Sequence, residues 1–391
     1  MSHLVRPFHG VRYDGKRVAL GRAVCPPYDV IGADLADRLR RLPFNAIHLE
    51  LPSGNGDRYL KAGKTWRTWN SRGIVRRDAA PGYYVVEQTF AHGGKNHVRT
   101  GVLAALDLRH AGPRAVRRHE KTLSKPKADR LKQLAAIKVN TSPIFGLFRD
   151  AGGKVRAQLR RAKAARPDEI GASPDGSRFK VWRVDEPAKV AALERALGPK
   201  TLLIADGHHR FEVAKEYFRR HPGPAASTML VYVCAEEDQG LLVLPTHRVL
   251  SPADVALERV KARCRLIPKA GLAALLKALE SHSSPYAFGL FVGGRFALAV
   301  PKSPAGAKSG LCVEYLARSI TQGVDPHHLK YTHEATEAIA LARELKGAAL
   351  LVKPSSVADI RRAVERIGLL PQKSTYFFPK ITTGLVFKPL A

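Results

Sequence analysis

The spacing of apolar residues along this chain switches between the two-residue period of strands and the 3.6-residue period of helices, and those switches mark out its elements. Pro26 and Pro27 fix the backbone ahead of Asp29, and the periodicity then predicts a helix over 33–42. Two β-rich runs, 83–90 and 97–108, flank a His-Gly-Gly-Lys-Asn turn, which is the signature of a hairpin. Residues 125–139 read as a helix with Pro126 in its first turn, and 140–143 end it ahead of an apolar strand at 144–148. The stretch 151–166 is helical in pattern, and the turn formers at 166–177 make the best internal flexible segment. Next come a strand at 179–184, a helix at 188–197, a strand at 201–206, a helix at 209–220 and a strand at 227–234. The pattern repeats with a strand at 241–244, helices near 255–263 and 273–280, strands at 286–292 and 295–301, and a helical region from Cys312. Such alternation predicts a mixed α/β (α+β) protein with a core over 1–240 and a C-terminal α/β lobe over 241–391 that completes the pocket.

Length and composition agree with this, since 391 residues suffice for two or three packed units and 45% hydrophobic content is that of an ordered globular chain. Charge adds something new. Lys and Arg number 65 against 34 Asp and Glu, a net +31, and a surface of that sign attracts polyanions. The densest run, 114–166, is a candidate for nucleic-acid phosphates, with a solvated basic face as the plainer reading. Its aromatics, Phe145 and Phe148, both sit in the apolar strand, which argues against a stacking platform for single strands. The cysteines, Cys25, Cys234, Cys264 and Cys312, are scattered without a CxxC pair, so they read as buried free thiols rather than disulfides or a zinc site. No stretch approaches the roughly 18 apolar residues of a membrane span, and the N-terminus has no signal-peptide core, so a cytoplasmic location without membrane contact is expected.

The clearest chemistry lies at Asp206-Gly207-His208-His209-Arg210, where an apolar strand ends in a glycine turn and flows into an amphipathic helix. Gly207 permits close backbone approach, the helix N-terminus favours an anion, Arg210 adds a forked cation, and His208 and His209 add imidazoles that titrate near neutrality. Asp206 beside a phosphate cradle calls for a magnesium ion, a substrate ammonium group or a transferable proton, with a plain helix cap as the structural alternative. A second constellation, His119-Glu120-Lys121-Thr122 followed by Lys125, Lys127 and Arg130, puts a carboxylate among cations. Glu120 is a candidate base there, and a charged surface turn is the alternative. In the tail, Ser374, Thr375 and Lys380 are set among aromatics as in a pocket wall or a covering strand. His247 and His333 lack the HExxH spacing of a zinc site.

Taken in order, PPYDVI (26–31), NAIHLELP (45–52), HEKT (119–122) with KADRL (127–131), SPIF (142–145), ADGHHR (205–210), LPTHR (244–248), PQKSTYFFPK (371–380) and TTGLV (382–386) resemble the family catalogued as domain of unknown function 1015. Its DGHHR segment is similar to the phosphate-binding Gly-x-x-Arg turn of the ParB and sulfiredoxin superfamily, whose members bind nucleotides and include free-serine kinases. That resemblance implies a ParB/sulfiredoxin-like nucleotide-binding core with ATP or ADP, and magnesium, as cofactors. Family members tend to be encoded beside genes of the phosphorylated serine pathway, which implies serine or phosphoserine as substrate. Carried over by position, Gly207, His208 and Arg210 would cradle phosphates, supported by His119, Lys121, Thr122 and Arg130.

A carboxylate would activate the serine hydroxyl; Glu120 leads, Asp29 follows, and Glu50 is a third, with Asp206 and His209 also in catalytic positions and Glu50, His247, Ser374, Thr375 and Lys380 lining the pocket. Serine kinase and phosphoserine phosphatase directions both stay open. The rival readings are a ParB-like, DNA-associated module, favoured by the charge, and a nucleotide or amino-acid sensor without turnover.

Overall fold

Alternation at 83–108 closes into a hairpin, Tyr83–His92 against Lys95–Asp107, around Gly93 and Gly94 at φ of 57° and 71°, a left-handed pair that glycine adopts without strain. A computed structural model describes residues 3–120, 122, 124–251 and 254–390. Its contacts group into two units: residues through Arg118 with Thr122–Leu241 and the tail from Pro379, and His119 and Glu120 with Leu242–Phe378. The sequence pattern assigns all of 241–391 to the second lobe, whereas here the tail from Pro379 joins the first unit. Lys388–Pro389 pairs with Val139–Asn140, and single bridges tie Cys25 to Thr383 and Val11 to Phe387. These pairings are between residues far apart in sequence, which no local pattern signals.

The first unit is a nine-stranded mixed sheet. Across it run Val116–Arg117, Leu202–Asp206, Ile144–Phe148, Thr228–Ala235, Lys95–Asp107, Tyr83–His92, Arg178–Val184 and Glu169–Ala172, with Val5–Arg6 also on Lys95–Asp107. Two pairings are parallel, Leu202–Asp206 with Val116–Arg117 and Thr228–Ala235 with Ile144–Phe148, and the rest are antiparallel. Val155 and Leu159, Leu193 and Leu197, and Phe211 and Ala214 bring three helices, Lys154–Lys163, Pro187–Leu197 and His208–Arg220, onto the sheet's apolar face at Val85, Val102 and Val231. The Lys154–Lys163 helix starts where Asp150 accepts the backbone N–H groups of Val155 and Arg156 at 3.3 and 3.0 Å. Helix Ser124–Ile137 packs on His208–Arg220 through Leu134, Val213 and Tyr217.

The turn-rich segment expected to be flexible is ordered instead. Glu169–Ala172 pairs antiparallel with Arg178–Val184, and Pro174, Asp175 and Gly176 (φ 84°) form the hairpin turn between them. Pairing to Tyr83–His92 extends this hairpin into the sheet, so the turn formers mark a reversal rather than a linker.

In the second unit a six-stranded antiparallel sheet runs Cys264–Lys269, Arg295–Pro301, Phe288–Val292, Ala348–Leu351, His247–Leu250, Leu329–Thr332. Leu275 and Leu279 of helix Leu272–Ser281, with Ala338 and Ala342 of helix Ala335–Glu344, fill its core. Two helices here, Ala335–Glu344 and Val357–Ile367, are not among the elements expected from the pattern, although the Ser356–Asp359 capping box of the second is readable in the sequence.

All four cysteines are free and buried. No helix among the described residues is long and apolar enough to cross a membrane. Within the basic run Arg118, Arg130, Arg149, Arg156 and Lys163 are ion-paired with Glu212, Asp129, Glu236, Asp150 and Glu87. These pairs involve five cations of the run, and nothing in the described structure singles out nucleic acid as its partner.

Candidate functional site

Apolar Leu202–Asp206 is buried up to its last residue, and the register against Ile144–Phe148 slips there: Ile204 faces Gly146, then Asp206 faces Phe145. The bulge leaves Ala205 without a partner in the ladder and changes the face that Asp206 presents. Gly207 follows at φ 89°, and a Cβ on it would stand 2.9 Å from Ile144 Cγ2, so both backbone and space demand glycine. Helix His208–Arg220 then begins without a side-chain cap, leaving its N-terminal dipole directed at the turn.

Arg210 folds back over this turn. Its Nη2 donates to Asp206 Oδ2 at 2.6 Å and its Nη1 to the Pro143 carbonyl. Lys380, delivered by the tail, contacts the other oxygen of Asp206 and lies 3.8 Å from Asp29 Oδ2. Burial by itself would raise the Asp206 carboxyl, but Lys380 and Arg210 hold it well below the usual carboxylate range. For Arg210 burial opposes the charge, and Asp206, Asp29, Glu50 and Tyr28 together outweigh it.

Glu50 closes the inner side, 2% exposed at the end of helix Ile47–Glu50. It accepts from Thr141 Oγ1 at 2.5 Å, Ser142 Oγ at 3.0 Å and the Tyr28 N–H at 3.3 Å. Arg130 donates to the Glu50 carbonyl at 3.0 Å and lies 4.4 Å from the centre of the Tyr28 ring. Around these groups is a cavity of about 50 Å³ bounded by Glu50, Tyr28, Arg130, Ser142 and Arg210. The first unit thus brings together Asp29, Glu50, Arg130, Asp206, Gly207, Arg210 and Lys380, with His208 buried and His209 half-buried at the helix start.

The other candidates belong elsewhere. Glu120, His119, His247, Ser374 and Thr375 are in the second unit. There Glu120 accepts the N–H groups of Ser374 and Thr375 at 3.0 and 3.4 Å, and His119, fully buried, has Nε2 2.7 Å from Thr375 Oγ1. Ser374 Oγ donates to the Pro371 carbonyl at 2.6 Å. His247 accepts the Val352 N–H at 3.1 Å, and burial, aided by His333 and Arg248, brings its pKa down to about 4. Thr122 is half-buried in the first unit, and Lys121 lies outside the described residues.

Sequence reasoning missed Arg99. It is fully buried, donates from Nη2 to Gln88 Oε1 at 2.6 Å and to the Pro379 carbonyl at 2.8 Å, and lies 5.0 and 5.8 Å from the Phe145 and Tyr232 ring centres. It thereby fixes the residue next to Lys380. An arginine in an alternating strand reads as solvent-facing, and the lone signal against that is its place in an otherwise buried hairpin.

Asp206 does not fit a protein-held magnesium ion, because both of its oxygens already meet cations. Among the described residues no cluster of three His, Cys, Asp or Glu side chains suits a metal. A phosphate fits better: it would meet the uncapped helix start and the two cations that Asp206 holds in place.

The sequence profile of the family described as "Protein of unknown function (DUF1015)" matches residues 5–325. No functionally curated protein matches the chain. Among solved structures the chain is similar to a conserved hypothetical protein from Pyrococcus furiosus, at 16% identity and TM-score 0.40 over 72% of this chain and 95% of that one. It is also similar to a free serine kinase variant in complex with ADP, at 13% identity and TM-score 0.42 over 72% and 92%. A third likeness, to SbnI with C-terminal truncation from Staphylococcus aureus, has 13% identity and TM-score 0.41 over 74% and 87%. Likenesses this distant carry no inference about chemistry.

Proposed function

The chain belongs to the DUF1015 family of proteins of unknown function, and from the site in its first unit we propose that it transfers a phosphoryl group between a nucleotide, ATP or ADP, and serine or phosphoserine. One observation carries the reading: Arg210 and Lys380 are held by Asp206 at a glycine-started helix, beside two further carboxylates, Asp29 and Glu50. Phosphoryl transfer asks for little covalent chemistry from a protein and much positioning and charge stabilisation. Asp206 supplies the positioning by fixing both cations before any ligand arrives, so their reorganisation is not part of the barrier.

In the kinase direction Asp29 takes the proton of the serine hydroxyl as its oxygen bonds to phosphorus. The bond from phosphorus to the leaving nucleoside phosphate then breaks, and Lys380 and Arg210 offset the charge on the phosphoryl oxygens. Asp29 is placed ahead of Glu120 because it faces Lys380 and Arg210 within the same unit and keeps its side chain 31% exposed, open to a substrate. Glu50, saturated by hydroxyl and N–H donors, holds Thr141, Ser142 and Tyr28 in position. The reverse transfer, from phosphoserine to ADP or to water, uses the same groups.

Phosphorus NMR tests this directly. The chain is incubated with magnesium and serine plus ATP or ADP, and separately with phosphoserine with and without ADP. Appearance or loss of the phosphoserine resonance, abolished in Arg210→Ala, is the expected result. A folded protein silent in every mixture refutes the proposal.

A further inference from the structure

At about 50 Å³ the inner cavity admits a group of a few heavy atoms and not a nucleotide. Tyr28 and Arg130, which line it, also line a cleft of about 290 Å³. Arg58, Tyr59 and Asp129 are shared in turn between that cleft and a groove of about 480 Å³ bordered by Gly54, Asn55 and Gly56. A continuous path of side chains therefore leads from Glu50 and Arg210 outward along one face of the first unit.

Beyond the inner cavity the walls of this path are mainly cationic. Arg58, Arg130 and Lys132 line the cleft and the groove with a single carboxylate, Asp129, among them. Asp129 is already occupied: Arg58 Nη2 donates at 2.8 Å, Arg130 Nη2 and Nε donate at 2.6 and 3.1 Å, and the Tyr59 hydroxyl donates as well. Those contacts use the acceptor capacity of a carboxylate, so Asp129 acts as a clamp that sets two guanidinium groups side by side. Arg58 keeps its side chain 42% exposed and lies 4.8 Å from the centre of the Tyr59 ring, and Lys132 is exposed. The same groove is bordered by exposed Gly54 and Gly56, at φ of 105° and 55°, and nothing lies within 4 Å of where their Cβ atoms would be. Cations spread along the cleft and groove, with glycine backbone at the groove's border, suit an extended anion better than a single compact one.

We infer that the transferred phosphoryl group sits at Arg210 and Lys380 and that the cleft and groove seat the rest of the donor's phosphate chain, while the inner cavity takes the small hydroxylated acceptor. This assignment rests on the phosphotransfer reading for its chemistry, though the binding it requires is measurable without turnover. The shared ligand chemistry is a linear polyphosphate, free or carried by a nucleoside. In the second case the Tyr59 ring lies beside the chain for a base to cover.

Isothermal titration of the full chain with ADP, inorganic pyrophosphate and orthophosphate tests it. Pyrophosphate and ADP are expected to bind at least about tenfold more tightly than orthophosphate, and Arg58→Ala and Lys132→Glu should each weaken both by about tenfold. Equal affinity for pyrophosphate and ADP assigns the groove to the bare chain, and tighter ADP assigns it to a nucleotide. Should Arg58→Ala fail to fold, Lys132→Glu, at an exposed position, still reads the contribution of the groove. Wild-type binding in the variants, or orthophosphate binding as tightly as pyrophosphate, overturns the assignment. Serine phosphorylation with an unchanged donor KM in both variants would leave phosphotransfer standing and remove the groove. Pyrophosphate binding lost in the variants, in a protein that never phosphorylates serine, would do the reverse.

Discussion

Replacing Asp206 by Asn removes the charge that holds two cations in place. Asp206, Arg210 and Lys380 keep only 15%, 13% and 12% of their side-chain surface, so the variant takes the nearest counter-charge from two largely buried cations. Breaking a buried pair from one side costs about 3–5 kcal/mol, and the residual exposure places this site near about 3 kcal/mol. For a unit of this size that is a fall of roughly 6–12 °C in Tm. The pH dependence has a definite sign. The folded carboxyl lies well below its unfolded value of roughly 3.9, so its contribution is complete above that pH and is lost as the pH falls towards the folded pKa. Urea unfolding followed by circular dichroism should therefore show the full gap between wild type and Asp206→Asn at pH 7. By pH 3 it should be narrower by roughly 1 kcal/mol. Phosphate at millimolar concentration should return part of the lost stability to the variant, because an anion then replaces the charge that Asp206 supplied to the two cations. Equal stability at pH 7, or a gap of constant size from pH 5 to pH 3, would refute the reasoning.

Gly207→Ala is expected to cost about 2 kcal/mol or more, through the left-handed backbone and the 2.9 Å approach to Ile144, as read by thermal unfolding. Asp29→Asn should lower kcat by about a hundredfold with donor affinity kept, whereas loss of affinity at unchanged kcat would remove it as the base. Wild-type protein should lose up to about 3 kcal/mol between pH 6.5 and 4, because His247 in the folded chain resists protonation down to about 4 while the unfolded chain accepts it near pH 6.5. His247→Asn, whose carbonyl can still accept the Val352 N–H, should lack that slope. Thr375→Val takes away the 2.7 Å partner of a fully buried His119 and should destabilise by about 1–3 kcal/mol in urea.

The sequence by itself determined what is local. Period and turn chemistry located the 83–107 hairpin, the Leu202–Asp206 strand and the helix after it, because apolar spacing and glycine placement act over a few residues. The same locality made the Asp206–Arg210 turn legible as a candidate anion site. Tertiary structure decided what lies far apart along the chain. It brought Lys380 to Asp206 across 174 positions and Arg99 to Pro379 across 280, and it placed Glu120 in a unit other than that of the glycine turn. It also turned a segment of turn formers, 166–177, into a paired edge hairpin. Ion pairs and strand registers of this kind arise from sheet closure and chain return. Their energies depend on partners a local pattern does not contain, and so the cations were visible in the sequence while the pairing that brings them together was not.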